Sequence, residues 1–132
     1  MVDIETTTVC EEGYVCTNEV GDFELTVDAT GEEGPTPNEV LVADYASCWI
    51  PAFRVGAGQR GHDDVGRVQI DASAELDDDD DLESISWVLH VEADLDDDEF
   101  DEIVERANDI CHVHSAVREE LHPDVEVNGD AF

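Results

Sequence analysis

Alternating apolar and polar residues mark several short segments of the chain as strands. Residues 6–28 contain two or three such segments, and the first two flank a turn at Glu11-Glu12-Gly13. Residues 65–76 and 83–94 each alternate in the same way, with apolar side chains on one face. This period of two is typical of strands with one buried face. The pattern therefore predicts three antiparallel strands near the N-terminus and two more in the second half of the chain.

Between these groups, the segment from Thr36 to Gly58 is apolar on nearly every side. Its first residues suit the start of a helix: Thr36 and Glu39 have the spacing of a capping box, and Pro37 suits the first helical position. A helix that is apolar all round is buried on every side. The segment therefore predicts the central helix of the fold, kinked or broken at Pro51 and ended by glycines.

A second helical pattern begins at Asp96–Asp98, where acidic residues suit the positive end of the helix dipole. Apolar residues recur at helical spacing as far as Leu121, so one long helix and two abutting helices both fit. Pro123 ends the pattern, and residues 124–127 predict a short final strand. The order β-β-β-α-β-β-α(-α)-β predicts an α+β fold, with antiparallel sheets packed on the central helix. We expect a single domain spanning residues 1–132.

The charge of the chain is extreme. It carries 37 acidic residues against 5 basic ones, a formal net charge of −32, and every basic residue is Arg. Concentrated salt would screen this self-repulsion, since the Debye length falls to about 3 Å at 1 M. We interpret the acidity as adaptation to the salt-rich cytoplasm of a halophile, with an acidic mimic of DNA or a polycation binder as the alternative. The lack of a basic face argues against nucleic-acid binding.

No apolar run reaches the length of a membrane span, because Asp44, Pro51 and Arg54 interrupt the central segment. The N-terminus lacks the basic start and the apolar stretch of a signal peptide. We therefore expect a cytoplasmic protein without a membrane partner. In a reducing compartment its 4 cysteines are expected to be free thiols or reactive groups instead of a disulfide framework.

Cys48 and Cys111 lie among the apolar positions of the two helical regions. The residues alone leave two interpretations open. Cysteine packs well as a small buried side chain. Alternatively, the two cysteines form a dithiol pair, in which one thiolate attacks an electrophile such as a peroxide and the other resolves the sulfenic acid as a disulfide. Such a pair needs Cα atoms within about 7 Å of each other.

The segment 111–114, Cys-His-Val-His, combines potential zinc ligands, to which Cys10 and Cys16 would add. Neighbouring positions on one helix cannot all face one way, and the chain has no Cys-x-x-Cys partner, so we expect no zinc site. Cys10 and Cys16 fall on predicted strands, where half-buried thiols are the simpler interpretation.

The acidic run Asp77–Asp81 invites comparison with a calcium-binding loop. It lacks the alternating ligands and the glycine of such a loop, and we interpret it as a solvated hairpin tip. No nucleophile elbow, P-loop or dinucleotide fingerprint is present. The sequence therefore predicts neither a metal nor an organic cofactor.

Two motifs resemble the signatures of the OsmC/Ohr family, the osmotically induced and organic hydroperoxide resistance proteins. The first, residues 34–48, is GPTPNEVLVADYASC, which is similar to a Pro-x-Glu helix start leading to the family's first cysteine. The second, residues 107–114, is similar to the family's A-x-x-x-C-P-V segment, with His112 where Pro is usual. The resemblance extends over essentially the whole chain.

The resemblance implies an OsmC-like fold and an intertwined homodimer, with two central helices back to back and active sites at the subunit interface. It also implies a thiol-dependent peroxidase that reduces organic hydroperoxides and is regenerated by a dithiol reductant. By position, Cys48 matches the peroxidatic cysteine, Cys111 the resolving cysteine, and Glu39 the acidic residue of the Pro-x-Glu branch. The alternative is a binding or redox-sensing protein that has this fold without efficient peroxidase activity.

Two departures from the family pattern bear on the mechanism. The family's peroxidases hold the thiolate with an Arg from the N-terminal strands, yet no basic residue precedes Arg54 here. The acidic residue is shifted, because Asn38 follows the Pro directly and Glu39 comes next. Glu39 also completes the capping box, and on an ideal helix it lies roughly 180° from Cys48. Two roles are thus open for Glu39, a catalytic acid and a helix cap.

Overall fold

The computed structural model describes residues 2–132 and has a mixed α+β architecture in the predicted element order. The elements are β1 (Thr6–Val9), β2 (Val15–Val20), β3 (Phe23–Asp28), α1 (Pro37–Gln59), β4 (Val68–Leu76), β5 (Leu82–Val91), α2 (Asp97–Ile110), α3 (His112–Ala116) and β6 (Asp124–Asn128), with a 3₁₀ turn at Glu119–Leu121. The chain divides into two compact units, one up to Leu41 and the other from Val42 to Phe132. Each unit is described by itself.

The first unit contains an antiparallel sheet in the order β1-β2-β3. The register places Val9 opposite Thr17, and Val20 opposite Phe23. Gly21 has a φ of 61°, a left-handed conformation that glycine adopts without strain in the tight turn between β2 and β3. Large exposed apolar side chains are numerous in this unit: Val2, Ile4, Val9, Tyr14, Val20, Phe23, Leu25 and Leu41. A sheet with this much exposed apolar surface has little core of its own.

A buried carboxylate organises the loop that follows β3. Asp28 is only 2% exposed, and its Oδ1 accepts hydrogen bonds from the backbone N–H and the hydroxyl of Thr30, both at 2.8 Å. Its Oδ2 accepts the backbone N–H of Glu33 at 3.0 Å. The Glu33 N–H, followed by the Thr30 donors, holds the pKa of Asp28 below its usual range. The buried charge is therefore paired with donors, as burial requires.

The predicted capping box starts α1. The backbone N–H of Glu39 donates to Thr36 Oγ1 at 3.2 Å, and the backbone N–H of Thr36 donates to Glu39 Oε1 at 2.9 Å. These two bonds satisfy donors that the start of a helix otherwise leaves free. The capping interpretation of Glu39 is confirmed.

From Val42 onwards, α1 buries one stripe and exposes the opposite face. The buried residues are Tyr45, Trp49, Ala52, Phe53, Gly56 and Ala57. Ala43, Ser47, Pro51 and Val55 on the other side are exposed. The burial is therefore one-sided within the chain, in contrast to the burial on every side expected from the sequence. The helix also continues through Pro51 to Gln59, so of the two expected outcomes, a kink or a break, the break does not occur.

The second sheet has the order β4-β5-β6. β4 and β5 pair antiparallel as predicted, whereas β6 pairs with β5 in parallel, so this sheet is mixed and not antiparallel throughout. The central strand β5 buries its predicted apolar face, comprising Ile85, Trp87, Leu89 and Val91, and its first residue Leu82 is buried as well. Burying each large apolar side chain contributes about 1.5–3 kcal/mol.

Aromatic rings join α1 to this sheet. Tyr45 packs edge-on against Trp87 with ring centroids 4.9 Å apart, and Trp49 stacks on Phe53 at 5.7 Å. The indole N–H of Trp49 donates to Asn108 Oδ1 at 2.8 Å, which ties α1 to α2. These contacts fix the rotation of α1 about its own axis from Val42 onwards. They thereby set the directions of the side chains on that part of the helix.

The helical region after Asp96 consists of two abutting helices, one of the two arrangements open from the sequence. α2 ends at Ile110 and α3 begins at His112, so Cys111 alone separates them. Cys111 adopts an extended conformation, with φ −66° and ψ 116°. This single extended residue turns the chain between the helices.

The acidic run between β4 and β5 is a hairpin tip, as predicted. The backbone N–H of Asp77 donates to the carbonyl of Asp81 at 2.8 Å, and Asp77 Oδ1 accepts the backbone N–H groups of Asp79 and Asp81. Over residues 2–132, no helix is long and apolar enough to cross a membrane.

Candidate active site

The structure brings Cys48 and Cys111 together. Cys48 lies at the edge of the buried stripe of α1 and is half-buried, whereas Cys111 at the α2–α3 junction is only 2% exposed. Their side chains lie close enough to interact, and this interaction lowers the pKa of Cys48 and raises that of Cys111. Of the two interpretations open from the sequence, this proximity favours the dithiol pair.

Opposing effects act on the ionisation of Cys48. Partial burial disfavours the thiolate, but the backbone N–H of Val113, the thiol of Cys111 and the backbone N–H of His112 all stabilise it. The donors prevail, and the pKa of Cys48 lies below its ordinary value. A thiolate is the nucleophilic form of cysteine, and this shift makes Cys48 the more readily ionised of the two sulfurs.

The pKa of Cys111 is shifted the other way. Burial raises it most, and the hydrogen bond to Cys48 together with the negative charge of Cys48 raises it further. Backbone N–H groups of His114 and Val113 oppose this shift without reversing it. Within the pair, Cys48 therefore loses its proton more readily than Cys111.

The start of α3 supplies the donors for the Cys48 thiolate. The first N–H groups of a helix have no partner within the helix. At α3, the backbone N–H of His114 donates to Cys111 Sγ at 3.4 Å. The N–H groups of His112 and Val113 act on Cys48, and that of Val113 also acts on Cys111. Main-chain donors, and not an arginine side chain, thus favour the thiolate of Cys48.

Tyr45 lies beside both sulfurs and is fully buried. Burial raises its pKa, and the negative charges of Cys111 and Cys48 raise it further. The phenol therefore keeps its proton and donates to His114 Nδ1 at 2.5 Å. Because Nδ1 accepts this bond, neutral His114 carries its own proton on Nε2.

Two histidines continue this arrangement. The rings of His114 and His122 stack with centroids 3.7 Å apart, and His122 Nε2 donates to the backbone carbonyl of His114 at 3.0 Å. Burial lowers the pKa of His114, the neighbouring His122 lowers it further, and Asp109 opposes the shift. His114 is thus held neutral as an acceptor for Tyr45.

Glu39, the third residue singled out from the sequence, has Thr36 as its observed partner. The N–H and the hydroxyl of Thr36 lower the pKa of Glu39 and thereby favour its ionised form. The side chain is exposed. The structure gives it the capping role described above. A catalytic role for Glu39 remains a prediction.

The arginines have observed partners away from the two sulfurs within the described chain. Arg54 donates to the carbonyl of Gly66 at 2.7 Å, Arg67 to Gln69 at 3.0 Å and Arg106 to Gln59 at 2.7 Å, while Arg60 pairs with Glu99 and Arg118 donates to the carbonyl of Leu82.

Within residues 2–132, one group of possible metal ligands lies close together. There the potential ligand atoms of three or more residues converge within 4.8 Å only at Asp77, Asp79 and Asp81. Cys111, His112 and His114 form no such group.

Tyr45, His114 and the main chain of residues 112–113 were not identified from the sequence as parts of the site. A signal for one of them was present, because Tyr45 lies three residues before Cys48 on the predicted central helix. Residues three apart on a helix share a face. The main-chain donors have no such signal, since every residue except proline supplies an N–H.

Comparison with known proteins identifies relatives of the whole chain. A family described as OsmC-like protein matches residues 29–126. An uncharacterized protein of the halophile Haloferax volcanii is 64% identical over 132 residues, which cover 100% of both chains. This relative supports the interpretation of the acidic composition as halophilic.

Solved structures share the fold at low sequence identity. An OsmC-like protein from Mycoplasma pneumoniae superposes with a TM-score of 0.84 at 17% identity, covering 97% of each chain. The organic hydroperoxide resistance protein OhrB of Bacillus subtilis superposes with a TM-score of 0.72 at 20% identity, covering 96% of this chain and 98% of its own. The fold, the match over residues 29–126 and the cysteine-bearing motifs lead to one conclusion: the chain belongs to the OsmC-like family.

Proposed function

We propose that this protein is a thiol-dependent peroxidase that reduces organic hydroperoxides, with Cys48 as nucleophile and Cys111 as resolving residue. The observation that carries the proposal is the contact between two thiols whose pKa values are shifted in opposite directions. Such a pair has a nucleophile and a proton-bearing partner already in place. The hydroperoxide resistance function in the name of the structurally similar OhrB supports the substrate class.

In the first step, the Cys48 thiolate attacks the terminal oxygen of the hydroperoxide. The S–O bond forms as the O–O bond breaks, giving a sulfenic acid on Cys48 and an alkoxide that takes a proton to leave as the alcohol. Cys48 is oxidised by two electrons and the peroxide is reduced by two. The N–H groups of His112 and Val113 keep the sulfur ionised until the attack.

In the second step, Cys111 resolves the sulfenic acid. Its sulfur attacks the sulfur of Cys48, a disulfide forms, and the hydroxyl leaves with the proton of Cys111 as water. A dithiol reductant then restores both thiols by thiol–disulfide exchange and becomes a disulfide itself. The high pKa of Cys111 keeps its proton in place until this step.

The surroundings of Cys48 suit an organic substrate better than hydrogen peroxide. Cys48 packs against the apolar core. Tyr45 and Trp49 belong to this core, and Val113 packs against it as well. The carbon chain of an alkyl or aryl hydroperoxide gains from leaving water at such a surface. Hydrogen peroxide has no apolar part that could benefit.

The test compares wild type with Cys48→Ser and Cys111→Ser, using cumene hydroperoxide and a dithiol reductant in concentrated KCl. We expect Cys48→Ser to fall to the uncatalysed rate, because the nucleophile is missing. Cys111→Ser should consume about one equivalent of peroxide and then stop. Cys16→Ser is the matched control and should turn over normally. Consumption by Cys48→Ser as fast as by wild type would refute the proposal.

We further propose that the active form is a homodimer. In the first unit, the exposed apolar residues Val9, Phe23 and Leu25 lie on a sheet with almost no core of its own. In the second unit, the exposed face of α1 carries Pro51 and Val55. Apolar faces of this kind mark surfaces that another protein covers. Sedimentation equilibrium in concentrated KCl should give twice the 14.5 kDa chain mass, and a mass of one chain would contradict the dimer.

The alternative is a redox-sensing or binding protein with the same fold. It would form the Cys48–Cys111 disulfide once without efficient turnover. A lowered pKa of Cys48 favours the peroxidase, since an ordinary thiol is only a few per cent ionised at pH 7. Steady-state turnover with excess reductant separates the two functions.

A further inference from the structure

The two remaining cysteines face each other across the β1–β2 hairpin. The antiparallel register pairs Thr6 with Val20 and continues to Val9 with Thr17. β1 ends at Val9, and the same register continued by one residue brings Cys10 opposite Cys16. The sequence places both residues near a turn, and the register shows that they flank it as opposite positions of the two strands.

The spacing of such partners suits a disulfide. Directly opposite residues in an antiparallel pair have Cα atoms about 4.5–5.5 Å apart. Disulfides join Cα atoms separated by about 4.4–6.8 Å. The two thiols also interact: after burial, the charge of Cys16 and a hydrogen bond with Cys16 raise the pKa of Cys10.

The pair is accessible from solvent at the hairpin loop. Cys10 is exposed and Cys16 is half-buried. The thiol of Cys10 donates to the carbonyl of Gly13 at 3.3 Å, which places its sulfur over the loop. Neighbouring Glu11 and Glu12 are exposed and acidic, so a cationic reagent is favoured at this end of the hairpin.

We propose that Cys10 and Cys16 form a second dithiol site, which reacts with a small disulfide compound and closes a cross-strand disulfide between β1 and β2. One sulfur, as a thiolate, attacks the compound, forms a mixed disulfide and releases one thiolate. The other loses its proton, attacks the protein sulfur of the mixed disulfide and releases the second thiolate. The two cysteines are oxidised by two electrons in total, and the compound is reduced to two thiols.

Closing this bond changes how β1 is held. β1 has four residues, all of them exposed, and lies at the edge of its sheet, paired only with β2. A short edge strand without buried side chains opens readily. A covalent link at the loop end of the strand limits this opening. Oxidation of Cys10 and Cys16 therefore makes β1 more ordered than it is when both thiols are reduced.

The test uses the full chain carrying Cys48→Ser and Cys111→Ser, in which Cys10 and Cys16 are the remaining thiols. Cystamine, a small disulfide with two ammonium groups, is added in concentrated KCl. We expect the intact mass to fall by two hydrogens, without a retained adduct, and peptide mapping to link residues 10 and 16. Amide hydrogen exchange in Thr6–Val9 should slow. Stable cysteamine adducts on both cysteines, or no reaction, would overturn the proposal.

A register control keeps the number of thiols constant. In the same background, Cys16→Ser combined with Thr17→Cys moves the second thiol to the opposite face of β2, because side chains alternate along a strand. This variant should retain cysteamine on both thiols, and an internal disulfide in it would count against the register argument. Peptide mapping of wild type after the same treatment gives a second measurement if the background variant fails to fold. The background lacks both proposed peroxidase cysteines, so this experiment and the peroxidase assay fail independently.

Discussion

Hydrogen-bond donors lower the pKa of Cys48, whereas burial alone would raise it. Because they lower its pKa, while burial and then the contact with Cys48 raise the pKa of Cys111, the two thiols should react at different pH. We predict that alkylation of Cys48 by iodoacetamide has its midpoint below the value of about 8.5 for a free cysteine. The midpoint for Cys111 should lie above it. Mass spectrometry of the labelled peptides resolves each site.

The sign of this effect also applies to stability. A group whose pKa is lowered by folding stabilises the folded state above its unfolded pKa, and this contribution is lost as pH falls through the folded pKa. For Cys48 the loss therefore occurs on the acidic side of a free thiol's titration. Equal alkylation midpoints for Cys48 and Cys111 would contradict the opposite shifts of their pKa values.

The main-chain donors make a second prediction at the scale of one residue. His112→Pro removes one N–H next to Cys48, and Pro is tolerated because residue 112 is the first of α3. We expect the alkylation midpoint of Cys48 to rise while the free energy of unfolding changes by less than about 1 kcal/mol. His112→Ala keeps the N–H and is the matched control. A similar rise in both variants would mean that the imidazole, not the N–H, acts on Cys48.

Between elements, the bond from Tyr45 to His114 connects α1 with α3. Tyr45→Phe leaves His114 Nδ1 without its donor, and His114→Leu leaves the buried phenol without its acceptor. Each single variant should cost about 1–3 kcal/mol of unfolding free energy. The double variant should cost less than the sum, by roughly 1 kcal/mol in a double-mutant cycle from urea unfolding. Additive costs would show that the two side chains act separately.

At the same scale, some elements follow from local residues and others do not. The cap at Thr36, the hairpin tip at Asp77 and the buried face of β5 were predicted correctly, because each depends on residues close together in sequence. The parallel pairing of β6 depends on where the chain returns after α3, which no local pattern encodes. Helix α1 was misjudged for a related reason: its apolar residues do not reveal whether its own chain or a partner covers them.

Part of the candidate site could likewise be predicted from the sequence, and part could not. Cys48 and Cys111 were identified because their residue types carry chemistry and match family motifs. The donors from residues 112–113 depend on backbone direction at the junction of α2 and α3, and the extended conformation of Cys111 sets that direction. This information is conformational and is absent from any list of side chains.

For the whole molecule, the net charge of −32 dominates the response to salt. Carboxylates repel one another at low ionic strength, and salt screens this repulsion. We predict that the melting temperature rises by well over 4 °C between dilute and molar KCl, since about 1 kcal/mol corresponds to roughly 4 °C in a domain of this size. Differential scanning fluorimetry at several KCl concentrations measures the effect. A melting temperature independent of KCl would contradict the halophilic interpretation.

The use of main-chain N–H groups has a consequence for how this chemistry is inherited. Nineteen of the twenty amino acids supply the same donor, so positions 112 and 113 are free to drift in side chain as long as proline is avoided. An Arg that holds a thiolate is lost on substitution by almost any residue, whereas a backbone donor is lost only on substitution by proline. Surveys that look for activity through diagnostic catalytic side chains would therefore pass over proteins built in this way.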